Sequence, residues 1–391
     1  MTTVTWTLTD ADEGVDLPDW SAGPRDVGGE LQGWSVSKRR LVGGRRDGVS
    51  VGEVDNGGMR FTVVPTRGMG IWKCIADDGR TLGWQSPVNG PVHPKFVPIA
   101  DPGGLGWLEG FDELLVRCGL ESNGAPVHDA RNVLQYPLHG RIANLPAHRV
   151  TLSVDSQRGT IAVTGEVDET RFLFHHLRLT STVTTTVGST ELTVHDSIAN
   201  LSSRPAGFQM LYHINVGAPL LDAGSSLIAA VKRVVPRDAR AADGVADWDT
   251  YAAPEPGFAE QVYFLLDPAC DADGRTRVLL KNAAGDAGLE LAYNRKQLPW
   301  FTQWKNTGAI EDGYVTGLEP ATNLPNPRDF EERQGRVVSL AAGASYDVDF
   351  SLNWLLDTAA VASAEAAVRS LQPVGGPEVF AAPQPGWCAG A

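Results

Sequence analysis

Along much of this chain apolar and polar residues alternate with a period of two, in short runs that end in Gly, Asn, Asp or Pro. Successive side chains of an extended strand point to opposite faces, so such runs fold as strands with one apolar face. "TLSVD" and "TIAVTGEV" within 151–167 alternate cleanly, and "FLFHHLRLTSTVTTTV" (172–187) is rich in Thr, Val and Leu. "ELTVHDSIANL" (191–201) puts Leu192, Val194, Asp196 and Ile198 on one face. "RFTVVP", "QVYFLL", "RVLLKN", "LELAYN", "FTQW" and "YDVDFSLNWLL" continue the texture. Many short strands at such spacing predict an all-β protein, a large antiparallel sandwich. No βαβ rhythm and no G-x-G-x-x-G appears, which argues against a nucleotide-binding parallel sheet.

Helical spacing appears in two places. "GWLEGFDELLVRC" (106–118) carries Trp107, Leu108, Phe111, Leu114 and Leu115 at that spacing, and "DTAAVASAEAAVRSLQ" (357–372) is Ala-rich and precedes Pro373. Both read as short packing helices. We expect an N-terminal extension over 1–35, a single domain over 36–375 and a loose tail over 376–391. A chain of 391 residues buries enough surface to need no disulfides. Cys74, Cys118, Cys270 and Cys388 are scattered without metal-ligand spacing and read as reduced thiols of a cytoplasmic protein. The polar, acidic start does not read as a signal peptide, and no apolar run is long enough for a membrane span. A net charge of −14 argues against nucleic acid and anionic membranes as partners.

The candidate chemistry lies where strands run into loops. His175, His176, His195 and His148 read as ordinary strand or turn histidines. His139 sits in "YPLHGRIANLPA", bracketed by Pro137 and Gly140, and a glycine there lets a ligand or backbone approach closely. His213 ends the apolar run "FQMLYHINVG", just before Asn215. Glu319 stands before a loop stiffened by Pro320, Pro325 and Pro327, in which Asn323 and Asn326 can tie down backbone. Two imidazoles and one carboxylate suit proton transfer between two oxygens of a bound molecule. Spacing alone does not say that they converge.

Those residues carry a resemblance to the aldose 1-epimerase (galactose mutarotase-like) family, over about residues 45–355, and within it to a poorly characterised bacterial branch. "SNGAPVHDARNVLQYPLHGRIANLPA" (122–147) is similar to the segment that supplies that family's first histidine, and "SIANLSSRPAGFQMLYHINVG" (197–217) to the one that supplies its second. "GLEPATNLPNPR" (317–328) resembles the segment with the catalytic glutamate. The resemblance implies a β-supersandwich with a few short helices and a sugar groove across a concave face. It implies Glu319 as general base on the anomeric hydroxyl, His213 as general acid on the ring oxygen and His139 as a hydrogen-bonding helper. It calls for no metal or organic cofactor, a small-molecule carbohydrate as partner, and a monomer or homodimer.

The chain departs from the family where a sugar-gripping Asp is usual. "WFTQWKN" (300–306) stands in its place, with Trp304 to stack on a sugar face and Gln303 or Lys305 to bond hydroxyls; Asn123, Arg67 and Arg141 complete the expected binding set. Three readings follow: an anomer-interconverting enzyme; an epimerase or lyase on a phosphorylated, sulfonated or oxidised sugar, favoured by arginines in the groove; and a non-catalytic sugar-binding domain.

Overall fold

The computed structural model describes residues 3–29 and 31–391, and its alternating runs are strands of two large sheets packed face to face. The smaller sheet has ten strands. Its centre is the antiparallel series Thr160–Arg171, His175–Thr186, Glu191–Asn200 and Ser345–Leu355. These strands alternate strictly: Leu177, Leu179, Val183, Leu192, Val194 and Ile198 join the core, while their neighbours are partly or fully exposed. One buried face and one wet face give that pattern.

The larger sheet has fourteen strands, and its middle follows a different rule. In spatial order it runs Arg233–Pro236, Gln261–Leu266, Trp300–Asn306, Val315–Ala321, Ala206–Gly217, Leu115–Leu120 and Gly70–Ala76. Every residue of Gln261–Leu266, Val315–Ala321 and Leu115–Leu120 is buried. Both faces are covered. Phe208, Met210, Tyr212, Ile214 and Val216 point between the sheets. Leu211, Val116, Cys118 and Ala321 point the other way, against Trp107 and Phe111. A strand buried on both faces reads as a continuous apolar run, which is what "QMLYHINV" is.

Three expectations change. Thr3–Asp10 is no extension: it pairs along its length with Arg149–Asp155 in the smaller sheet, while residues 1, 2 and 30 of the expected segment lie outside the described residues. The 376–391 segment is no loose tail. Glu378–Val379 pairs in parallel with Arg233 and Val234, and Cys388 is buried beside Val262 and Phe264. The stretch 106–118 is not one helix: a 3-10 turn over Gly106–Gly110 leads into the strand Leu115–Leu120. Its apolar residues serve two layers, Trp107 and Phe111 the outer face and Leu114 and Leu115 the core, which mimics helical spacing. The helix Thr358–Leu371 forms as expected, capped by Asp357. Among the described residues, no helix is long and apolar enough to cross a membrane.

One charged pair crosses the core. Arg117, on the larger sheet, gives two hydrogen bonds to Asp196 on the smaller one, and others to Ser181 Oγ at 2.7 Å and the Met69 carbonyl at 2.6 Å. Both side chains are fully out of solvent. Removing one partner of such a pair strands a buried charge, which costs about 3–5 kcal/mol, whereas an apolar pair of similar volume is tolerated. Asp196→Ala is therefore expected to lower unfolding free energy by about that amount in urea titrations, and the double change Arg117→Met with Asp196→Leu to recover most of it.

Candidate active site

Because side chains alternate along each strand, the residues that turn away from the core line up on the outer face of the larger sheet. There they floor a cavity of about 330 Å³. The register that pairs Leu211 with Ala321 and Ile214 with Leu318 sets His213 opposite Glu319. His213 Nε2 lies 3.2 Å from Glu319 Oε1, and both side chains are almost wholly buried. Room for this meeting comes from Gly317, on the same face two residues before Glu319. A Cβ there would sit 2.6 Å from Glu319 Oε1 and 2.8 Å from His213 Cε1.

The proton on this pair can be placed by following the bonds outward. The Asn215 amide donates to the carbonyls of Glu113 at 2.9 Å and His213 at 3.1 Å, so its oxygen faces His213 Nδ1, 2.6 Å away. An amide oxygen only accepts, so Nδ1 carries hydrogen and a neutral His213 turns a bare Nε2 toward Glu319. Burial pushes the Glu319 carboxyl up to about 8; Glu260 pushes the same way and Arg237 opposes it. Burial, and then His139 nearby, pull His213 well below its ordinary value. A dry cavity disfavours both charges. At neutral pH the pair therefore holds one proton, shared between Glu319 and Nε2.

His139 comes from a loop rather than a strand. Its backbone is left-handed, with φ 57°, and Gly140 follows at φ 72°. A Cβ on Gly140 would strike the Ser122 carbonyl at 2.0 Å, so only glycine lets this turn lie against 119–122. His139 Nδ1 donates to the Asn123 carbonyl at 3.0 Å, leaving Nε2 as an acceptor when the ring is neutral. Burial pulls this histidine down to about 4. The two imidazoles stand perpendicular with centroids 5.5 Å apart, and Trp107 packs on His139 at 4.5 Å.

The loop after Glu319 is fastened as its asparagines suggest. Asn323 and Asn123 exchange amide bonds of 3.0 Å, and Asn323 also holds the Leu324 carbonyl. Asn326 donates to the Trp387 carbonyl at 2.8 Å and accepts from the Ala389 amide.

The expected binding residues separate into groups. Trp304 lines the cavity, its Nε1 donating to Glu260 at 2.7 Å. Gln303 and Lys305 do not: alternation turns them to the opposite face, where Gln303 bonds Trp248 O and Tyr251 Oη, and Lys305 bonds the carbonyls of Asp247 and Thr250. Asn123 acts at one remove, through the carbonyl that orients His139. Arg67 is buried elsewhere, tied to Glu113, Val92 O and Asn144. Arg141 is exposed and outside the cavity lining. The residues not foreseen are Trp107, Phe111, Arg237 and Glu260. Arg237 binds Glu260 at 2.9 Å and Asp238 at 3.0 Å, so its charge is already matched. Nothing in the sequence flags either partner of that rim pair.

Among the described residues, Glu121, Glu169 and His175 form the one grouping with metal-ligand spacing, within 4.8 Å of one another. None of them lines the cavity, and both Glu169 oxygens accept backbone amides at 2.8 Å.

Residues 46–353 match the family model described as a domain of unknown function, DUF4432. The structure is similar to that of a Klebsiella pneumoniae subsp. pneumoniae MGH 78578 protein provisionally named an aldose 1-epimerase, 33% identical over 98% of this chain and 99% of that one, with a TM-score of 0.93. A galactose mutarotase-like protein of Clostridium acetobutylicum shares the fold at 14% identity, covering 82% of this chain and 98% of its own, with a TM-score of 0.56. So does galactose 1-epimerase of Lactobacillus acidophilus NCFM, at 12% identity, 82% and 98% coverage and a TM-score of 0.52. No curated protein matches this chain.

Gly317→Ala is expected to push Glu319 and His213 apart while leaving the sheet intact. Nitrogen-15 NMR of the imidazole reads this out: the His213 Nε2 signal moves to that of an unbonded ring nitrogen, and the far-UV spectrum stays unchanged. An unmoved signal means that the pair accommodates the methyl group.

Proposed function

Given that the chain belongs to the aldose 1-epimerase (galactose mutarotase-like) family, in its DUF4432 branch, we propose that it interconverts the anomers of an aldose by acid–base ring opening. The observation that carries this reading is the buried Glu319–His213 pair, 3.2 Å apart and open to a cavity of sugar size. A hemiacetal carbon bears two oxygens, one to be deprotonated and one to be protonated. A carboxylate and an imidazole side by side match that demand.

Ring opening starts with the proton on His213. Glu319 takes the proton of the anomeric hydroxyl as the C1 carbonyl forms, the bond from C1 to the ring oxygen breaks, and His213 Nε2 gives its proton to that oxygen. Glu319 is then protonated and His213 neutral, which is the state the dry cavity favours. After rotation about C1–C2, closure reverses both transfers. Total protonation never changes, so no proton need cross the protein to solvent. His139, with Nδ1 committed to Asn123, offers Nε2 to a sugar hydroxyl; only by taking a proton itself could it donate to the ring oxygen. Trp107 and Trp304 supply flat apolar faces for the sugar.

Neither Arg67 nor Arg141 reaches the cavity, and Arg237 is matched by Glu260 and Asp238, so the arginines lend no support to a phosphorylated, sulfonated or oxidised substrate. A passive binding domain has no use for a carboxyl held up to about 8 by burial beside an imidazole.

Proton NMR saturation exchange on freshly dissolved neutral aldoses tests the reading. Faster exchange between α and β anomeric signals is expected, and Glu319→Gln should lower the enzyme-dependent rate by at least about 100-fold. No acceleration of any sugar overturns the proposal; acceleration that survives the substitution removes Glu319 as the base.

The pH dependence follows from the shared proton. A group with its value raised to about 8 keeps its proton below that pH and loses it above. Enzyme-dependent exchange should therefore be flat near neutrality and fall tenfold per pH unit beyond about 8, and a fall beginning near 5 would contradict the assignment.

A further inference from the structure

A second polar cluster lies away from the cavity, where the tip of a hairpin from the smaller sheet meets the end of a strand from the larger one. The register that pairs Arg171 with His175 and Glu169 with Leu177 makes Glu169 and His175 diagonal neighbours on one face of the hairpin, the face that carries Val167, Leu177 and Leu179 into the core. Glu121 comes from the larger sheet, just past the strand Leu115–Leu120. Glu169 accepts the amides of Leu120 and Glu121 at 2.8 Å, so the hairpin already grips that strand end. Each Glu169 oxygen keeps a second lone pair.

The three side chains converge without bonding one another. His175 Nδ1 stands 3.3 Å from Glu121 Oε1, and Nε2 stands 3.6 Å from Glu169 Oε1. The second distance is too long for a hydrogen bond. The first is not aligned as one: Nδ1 is shut away from solvent and has no hydrogen-bond partner among the described residues, on a side chain only 9% exposed. A histidinium between two carboxylates would draw both oxygens into line with its N–H groups, and here neither is in line. A buried ring nitrogen left so is costly, and calls for a partner. Ligands bonded at about 2.0–2.1 Å around a tetrahedral zinc-class ion stand about 3.3 Å from one another, which is the separation of Nδ1 and Glu121 Oε1. Glu169, with its ligand atom within 4.8 Å of both, supplies a further oxygen. The Glu121 side chain is 19% exposed, which gives an ion a way in and a water molecule room to complete the shell.

We propose that Glu121, Glu169 and His175 bind a divalent cation of the zinc class, which clasps the hairpin of Thr160–Arg171 and His175–Thr186 to the larger sheet. This site stands independently of the mutarotase reading. Two residues beyond Glu121, the Asn123 carbonyl orients His139, so the clasp braces the segment on which that histidine depends.

Metal titration of the full-length, chelator-stripped protein tests the site, with Zn2+ in competition with a colorimetric chelator and Co2+ as a visible-spectrum probe. One equivalent per chain is expected to bind. His175→Gln and Glu121→Gln should each weaken that binding at least about tenfold, since even groups that only orient a ligand are worth that much. His195→Gln, which alters an exposed histidine bonded to Asp349 at 2.8 Å, should leave it unchanged. In the wild-type chain the first equivalent of Zn2+ should move the nitrogen-15 signal of His175 Nδ1 and raise the unfolding temperature, and that rise should vanish in His175→Gln. No binding of either ion, binding that persists in both cluster variants, or binding lost in His195→Gln overturns the proposal. Should a variant misfold, the wild-type Nδ1 signal decides: a shift at one equivalent supports the site, and an unmoved signal overturns it.

Discussion

The middle strands of the larger sheet must be dry on both faces, and most else in the molecule answers to that demand. Their inner faces close the core with the smaller sheet, and their outer faces hold His213, Glu319 and Trp304 under a roof of loops. Each backbone is committed to its ladder, so the site's side chains are fixed to the pitch of the strands that carry them. Arg117 expresses the same demand on the inner face. Sitting between Val116 and Cys118, which face outward, it pins one sheet to the other at the level of the cavity floor.

Dryness also sets the electrostatics. Burial raises Glu319 and lowers both His213 and His139, so each group rests in its neutral form. A carboxyl and an imidazole that both resist charge keep their one proton on the carboxyl at rest, and the ion pair from which ring opening would start lies above that state. The rim pair of Arg237 and Glu260 stays half open to water and keeps its charges there, where they are screened. Charge is tolerated at the edge and neutralised on the floor.

Much of this was legible in the residues. Alternation predicts the all-β sandwich, and the strand ends carrying His213 and Glu319 mark the pair that the structure brings together. The same alternation, applied to "WFTQWKN", already says that Trp304 cannot share a face with Gln303 and Lys305. Other features had no local signature. Trp107 and Phe111 were hidden because one stretch serves two layers in turn. Glu260 and Arg237 meet only through tertiary structure, and the terminal strands are short segments whose partners lie far along the chain. Arginine counts mislead for a related reason: a guanidinium in a core network and one in a groove look alike in sequence.

The reciprocal amide bonds of Asn123 and Asn323 join residues two hundred positions apart. One belongs to the loop that orients His139, the other to the loop behind Glu319. Closing so long a loop is slow compared with forming neighbouring hairpins such as Thr160–Arg171 with His175–Thr186. During refolding local hairpins are therefore expected to precede the contact between these two loops. A partly folded molecule with its strands paired would already hold Glu319 opposite His213, but would lack the loop contact that braces the carbonyl orienting His139.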